Sequence, residues 1–484
     1  MRVFFCALLL VASAAAAVAA TPGKAVDAAR RHHRANQQQI LAELTDFLAI
    51  PNVASDTPNI EKNAAAIVGM FAKRGIEARL LRGEGAPPLV VADVPRKGAK
   101  RTIAFYAHYD GQPVDPAQWT SAPWSPEIRG GHLYARSASD DKSPIVAMLA
   151  ALDALRTAKI APSINLKFVF EGEEEAGSPH LDHYLDRFAK ELSPDAWILC
   201  DGPVHQSRRA LLYFGARGVT GAELTVYGPL RALHSGHYGN WAPNPLVMLT
   251  HLIASMRASD GRILIDGYYD DVVPVSESER AALAKAPAFD EEIRRELALG
   301  RTEGSATLNE EILKPALNIR GIAGGHVGAR ASNSIPTEAH ASFDLRLVPA
   351  QSPERAQSLV ERHIVRRGFH IVREPPSAEV RGAHPRVAKL VWGHGYPAAR
   401  TPMDSLISKR VIDVAMVATG SEPVLLPSLG GSIPMYLFQR GGKVPVIGVP
   451  IVNHDNNQHA ANENLRLENL WQGIELFAAL FAGM

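Results

Sequence analysis

Three short stretches of this chain, "TIAFYAHYD", "LKFVFEGEEE" and "AWILCD", each run through consecutive apolar residues and then stop in imidazole or carboxylate side chains. Such runs lack the polar alternation of a half-solvated strand and are too short for a buried helix, so they read as strands covered on both faces. Similar runs occupy 76–81, 89–94, 102–106, 166–170 and 196–200, with helical spacing over 25–48 and 144–155 between or beside them. Strand and helix alternating in this way predict an α/β fold: a mostly parallel sheet flanked by helices.

From Gly218 the texture changes to alternating residues, "VTGAELTVYG" and later "AHASFDLRLVP", with separate helices near 245–256 and 277–299. This predicts an α+β domain inserted over 218–372, a lid or dimerisation module, between catalytic segments 21–217 and 373–484. Buried-strand character returns at 444–452. A last, amphipathic helix is expected to carry Leu467, Leu470, Ile474, Phe477 and Phe481.

Lys plus Arg total 51 against 50 for Asp plus Glu, so no net field recruits nucleic acid or an anionic membrane. Residues 1–20 read as a secretory signal, with Arg2, a short apolar run and a small-residue cleavage point after Ala20. The mature chain is then expected to be secreted, into the periplasm, without a membrane anchor. With Cys6 removed it would keep Cys200 alone and form no internal disulfide.

A strand turns residues i and i+2 to the same face, so His108 and Asp110 can point together from a strand's C-terminal end, where open α/β sheets build their sites. "SASDDKSP" puts Asp140, Asp141 and Lys142 at a helix start, where an acidic cap is the simple alternative. Glu171, Glu173, Glu174 and Glu175 crowd one loop; a solvated acidic loop is the ordinary explanation, but mutual repulsion so near a core strand calls for a cation. Asp201 ends the third strand, where a turn residue is the alternative. "VNHDNNQHAANE" adds His454 and His459. Nitrogen and oxygen donors of this kind suit zinc, or less specifically manganese or cobalt.

The order His-x-Asp, Asp-Asp-Lys, Glu-Glu, strand-end Asp and His-x-x-Asn-Glu resembles the co-catalytic zinc peptidases, the family of carnosinase, cytosolic non-specific dipeptidase, glutamate carboxypeptidase, succinyl-diaminopimelate desuccinylase and aminoacylase. The resemblance implies two divalent metal ions per subunit, zinc first. Asp140 would bridge them, His108 and Asp201 would complete one site, and Glu175 and His459 the other. Asp110 would orient His108, Glu174 would be the general base, and the Asp140–Asp141 peptide would be cis. Ala135-Arg136-Ser137 and Lys142-Ser143 depart from the family's usual Gly-Arg-Gly and Lys-Gly.

The dipeptidase branch carries strings similar to "LHSGHYG" and "GGSIP". That likeness implies that His234 serves the active site of the other subunit of a homodimer. It also implies that Arg346 binds the carboxylate of a small peptide substrate, and that Gly431 and Ser432 grip it. Asn333 stands where relatives usually place a substrate-contacting threonine. The expected activity is hydrolysis of dipeptides or short peptides. An N-acyl-amino-acid deacylase or glutamate-type carboxypeptidase using the same machinery is the alternative, and a non-catalytic metal-containing binding protein the remote one.

Overall fold

The computed structural model describes residues 21–484. The expected signal segment, with Cys6 and its cleavage point, lies outside them. An eight-stranded sheet forms the larger body, in the order Ala78–Leu81, Leu89–Val94, Asn165–Glu171, Thr102–His108, Ala196–Leu199, Val446–Gly448, Leu211–Tyr213, Val424–Leu426. Its centre is parallel, from Asn165–Glu171 through Val446–Gly448. The sheet as a whole is mixed, because Leu89–Val94 runs antiparallel to both Ala78–Leu81 and Asn165–Glu171, and the parallel pair Leu211–Tyr213/Val424–Leu426 joins Val446–Gly448 antiparallel. The parallel centre matters for function: it sends the ends of the three opening stretches to one rim.

Helices cover both faces. Lys142–Thr157 is buried along nearly its whole length and packs against Leu467–Gly483. The latter, expected to be amphipathic, is enclosed on almost every side, from Asn469 to Gly483. Phe105 of the central strand meets the rings of Phe477 and Phe481 edge-on, with centroids 6.4 and 4.9 Å apart. A helix that presents its apolar face to a sheet and its other side to a second helix has no solvent face left to keep polar.

A second sheet, ordered Ala316–Ala323, Glu338–Leu347, Gly218–Tyr227, Val387–Trp392, His370–Val372, has its own core beneath the helices Pro245–Met256 and Pro353–Arg366. The boundary expected at 372 is corrected: Val387–Trp392 pairs with Gly218–Tyr227 and belongs to this sheet. The helix Glu277–Lys285, expected within the insertion, leans instead on the larger body. Its buried Glu279 pairs with Arg400, and Lys285 Nζ lies 2.7 Å from Glu422. Charge and alternation alone could not show which sheet a polar helix would serve. Among the described residues, no helix is long and apolar enough to cross a membrane.

Gly448 lies directly under the ring of Tyr213, whose hydroxyl donates to the Asp201 carbonyl at 3.0 Å. Gly448→Ala should therefore overpack the core and lower unfolding free energy by about 1–3 kcal/mol. Gly69→Ala, in a helix with nothing within 4 Å of the new carbon, should stabilise by about 0.5–1 kcal/mol. Urea denaturation of the two variants distinguishes these opposite signs.

Candidate metal centre

The parallel strands deliver their terminal residues as the sequence suggests. His108 ends Thr102–His108, Asp201 follows Ala196–Leu199, and Glu174 and Glu175 open a single 3-10 turn just past Asn165–Glu171. Asp140 precedes the helix Lys142–Thr157. Ligand atoms of His108, Asp140 and Asp201 lie within 4.8 Å of one another, and so do those of Asp140, Glu175 and His459. Asp140 thus belongs to both groups. Its Oδ1 lies 2.9 Å from His108 Nε2 and its Oδ2 3.1 Å from His459 Nε2, which is also 3.1 Å from Glu175 Oε2. His454, by contrast, has its ring beside Asp455, at 3.9 Å.

Asp110 does more than the expected orientation of His108, whose Nδ1 is 3.3 Å away. Its two oxygens accept from the backbone N–H groups of Glu174 and Glu175, each at 3.0 Å. One buried carboxylate therefore ties the histidine strand to the turn that carries both glutamates. Gln112 Nε2 donates to Glu175 Oε2 at 2.8 Å, and Gln458 Nε2 to Asp140 Oδ2 at 3.1 Å. The sequence reading missed both glutamines, since nothing in their spacing marks them.

It also assigned no role to Glu463, the last residue of "HAANE". This fully buried carboxylate accepts from the backbone N–H groups of Ser137, Ser139 and Asp140, each at 2.9 Å. It also accepts from Ser139 Oγ at 2.8 Å and Arg136 Nη1 at 2.6 Å. The Asp140–Asp141 peptide that follows is cis, as the resemblance implies. His459 is held in a left-handed backbone conformation, φ 63°, costly for a non-glycine residue and characteristic of functional loops.

The electrostatics are those of a site built for cations. Burial raises the Glu174 carboxyl well above its ordinary range, with the Asp201 and Asp140 charges adding and His108 opposing. Burial and then Asp140 push Asp201 up to about 6. Asp141, also buried, is raised chiefly by desolvation, then by Asp201. His459 is raised too, but for the opposite reason: hydrogen bonds to Asp140 and Glu175 favour its cation and bring it to about 10, against the opposing effect of burial. An imidazolium drawn between two carboxylates marks a place where positive charge is strongly favoured. The donor set, two imidazoles and three ligating carboxylates in two groups with one shared member, fits a pair of divalent ions.

A cavity of about 890 Å³ opens on this cluster; its wall includes Glu174, Asp140, Asp201, His459, Ser432 and Tyr396. Arg346 reaches it through Ser432, Nη1 to Oγ at 2.7 Å, with Asp344 Oδ2 3.0 Å from its Nε. Gly431 accepts from the Arg217 backbone N–H at 3.2 Å. His234 and Asn333 stand apart. His234 pairs with Ser334 on a small two-stranded ribbon, the Asn333 carbonyl accepts from Ser235 N–H at 2.9 Å, and neither side chain lines the cavity of its own chain.

The profile of the family described as Peptidase family M20/M25/M40 matches residues 104–482. The Beta-Ala-His dipeptidase of Homo sapiens is 30% identical over 414 residues, covering 82% of this chain and 78% of that protein. The Cys-Gly metallodipeptidase dug1 of Schizosaccharomyces pombe is 26% identical over 464 residues, 91% of this chain and 94% of that one. Among solved structures, an M20 family metallo-carboxypeptidase, Sso-CP2 from Sulfolobus solfataricus, superposes with a TM-score of 0.76 at 29% identity, over 92% of this chain and 99% of that one.

Two outcomes follow from the geometry. Glu463→Gln puts an amide nitrogen where only acceptors fit, and leaves Arg136 buried without a counter-charge. It should weaken metal binding about 10–100-fold in a chelator competition, and lower stability by about 3–5 kcal/mol in urea unfolding. His459 must also release its proton to offer a lone pair to a cation. With its pKa raised to about 10 in the metal-free protein, metal affinity should climb with pH up to that value. Calorimetry at pH 8 in buffers of different ionisation enthalpy should register the released proton.

Proposed function

The chain belongs to peptidase family M20/M25/M40, a family of metal-dependent hydrolases, and from that premise we propose that it is a dipeptidase acting on small peptides with a free carboxylate. The observation that carries the reading is the placement of Glu174: a carboxylate beside two ligand groups that share Asp140, on the wall of a cavity that Arg346 reaches through Ser432. The named activities of the human and fission-yeast relatives agree with it.

His108, Asp140 and Asp201 would hold one divalent ion, and Asp140, Glu175 and His459 the other; zinc is the metal we favour, with manganese or cobalt as alternatives. When bound, such a pair lowers the pKa of a shared water and polarises the scissile carbonyl. Glu174 accepts the water's proton during attack and returns it to the leaving amine nitrogen. Burial suits it to that exchange, because a carboxyl raised above its ordinary range is the stronger base toward the water's proton. Asp110 keeps the Glu174 backbone, and so the base, at a fixed distance from His108. Arg346 and Ser432 receive the substrate carboxylate, a task suited to the planar guanidinium fork.

Export through the segment 1–20 and assembly as a homodimer through the inserted domain complete the proposal. Pairing would give His234 and Asn333, remote from their own cavity, a site to serve. Cell fractionation and light scattering test these two points. The likeness to the Sulfolobus solfataricus metallo-carboxypeptidase supports a second reading, carboxypeptidase activity on the same machinery.

The test is a panel of unblocked dipeptides, N-acyl amino acids and longer peptides offered to the zinc- or manganese-loaded protein. Dipeptides should turn over, and Glu174→Gln should reduce kcat by at least about 10²–10⁴-fold while retaining its metals. Turnover of acyl amino acids alone would keep the machinery and overturn the substrate.

A further inference from the structure

We propose that Asp182 binds the free ammonium group of the substrate and so selects unblocked dipeptides over N-acylated ones. The assignment rests on the dipeptidase reading above and bears on the feature that separates it from a deacylase.

Five carboxylates line the catalytic cavity: Asp140, Glu174, Glu175, Asp201 and Asp182. The first four belong to the metal groups or to the proton transfer beside them. Asp182, in the first turn of Leu181–Arg187, is exposed and has no hydrogen bond or ion pair among the described residues. The same cavity is also lined by the uncharged Pro179, Ile433, Pro434, Tyr436 and Leu437. The Tyr436 phenol is raised by burial and next by the Asp182 charge, and both residues line the same cavity.

A complementary charge is left over elsewhere around the cavity. Arg346 is paired with Asp344, but Arg217 lies beside it, over nine-tenths buried, with no carboxylate partner. Its Nη2 donates to the Lys314 carbonyl at 3.0 Å and its buried Nε has no partner among the described residues. Burial first, and then the neighbouring Arg346, lower its pKa to about 10. The group of Arg217, Arg346 and Asp344 therefore carries one uncompensated positive charge.

Two stacked rings, Tyr396 and Tyr436, line the cavity together with Asp182 and Ser432. Tyr396 senses Arg346 and lies against Ser432; Tyr436 senses Asp182; the rings stack with centroids 5.0 Å apart and planes 10° from parallel. A cavity with an unpaired carboxylate on its wall, and a net positive arginine group reaching it through Ser432, is complementary to a zwitterion. N-acylation removes the cation and leaves Asp182 facing a neutral amide.

The experiment compares the metal-loaded wild type with Asp182→Asn and Asp182→Glu on one unblocked dipeptide and its N-acetyl derivative, the latter read as a competitive inhibitor where it is not cleaved. For a solvent-accessible ion pair, Asp182→Asn should raise KM for the unblocked dipeptide about three- to fivefold with kcat unchanged. The N-acetyl ligand should bind as before, and Asp182→Glu should recover most of the loss. Equal weakening of both ligands would make Asp182 a structural helix-start residue and overturn the assignment, as would no change in either. A wild type that cleaves no unblocked dipeptide would overturn the dipeptidase reading itself, before any variant is compared.

Discussion

The shared ligand Asp140 depends on one buried carboxylate that lies outside both candidate ligand groups. Glu463 gathers three backbone N–H groups, a hydroxyl and a guanidinium from residues 136–140. A loop that turns the amide hydrogens of Ser137, Ser139 and Asp140 to one point needs an acceptor there, and a buried carboxylate is costly unless its lone pairs are filled. Each need meets the other. The result is that Asp140 leaves the loop in one orientation, with its two oxygens turned toward the two histidines. Glu463 and His459 lie on the same short segment, so the element that fixes the shared ligand also carries the ligand of the second group.

Asp110 plays the matching part on the other side. Its oxygens fix the Glu174–Glu175 turn, while His108 lies against it at the end of the neighbouring strand. Between them, Glu463 and Asp110 place the ligands and the base without relying on long flexible side chains, which is how precise constellations are held. In the proposed function the inserted domain adds the grip. Arg346 comes from its sheet and Ser432 from the larger body, so their 2.7 Å contact spans the two domains at the cavity. A substrate carboxylate bound there would touch both, which couples binding to the position of one domain on the other.

Much of this was legible in the sequence, for a physical reason. Buried strands have no choice but to be apolar, so the residues that break the apolar run at their ends stand out: His108, Glu174 and Glu175 after Glu171, and Asp201. Their meeting follows from parallel alignment of the strands. His459 over His454 came from the resemblance, and the geometry brings His459 to Asp140 and Glu175. The inserted sheet's extent was misjudged because Val387–Trp392 looks like any short strand; only its partner, Gly218–Tyr227, says which sheet it joins. Gln112, Gln458 and Arg217 were invisible for a different reason. A polar side chain that supports another acts through a direction and a distance, and neither is written in spacing along the chain.

The claim on which the account turns is that one chain holds two metal ions joined by Asp140. Anomalous scattering from crystals of the zinc-loaded protein, recorded on either side of the absorption edge, tests it most directly. Two peaks per chain roughly 3.5–4 Å apart, with the Asp140 carboxylate between them, His108 and Asp201 at one and Glu175 and His459 at the other, is the predicted result. A single peak, or two peaks with Asp140 bound to only one of them, would contradict it.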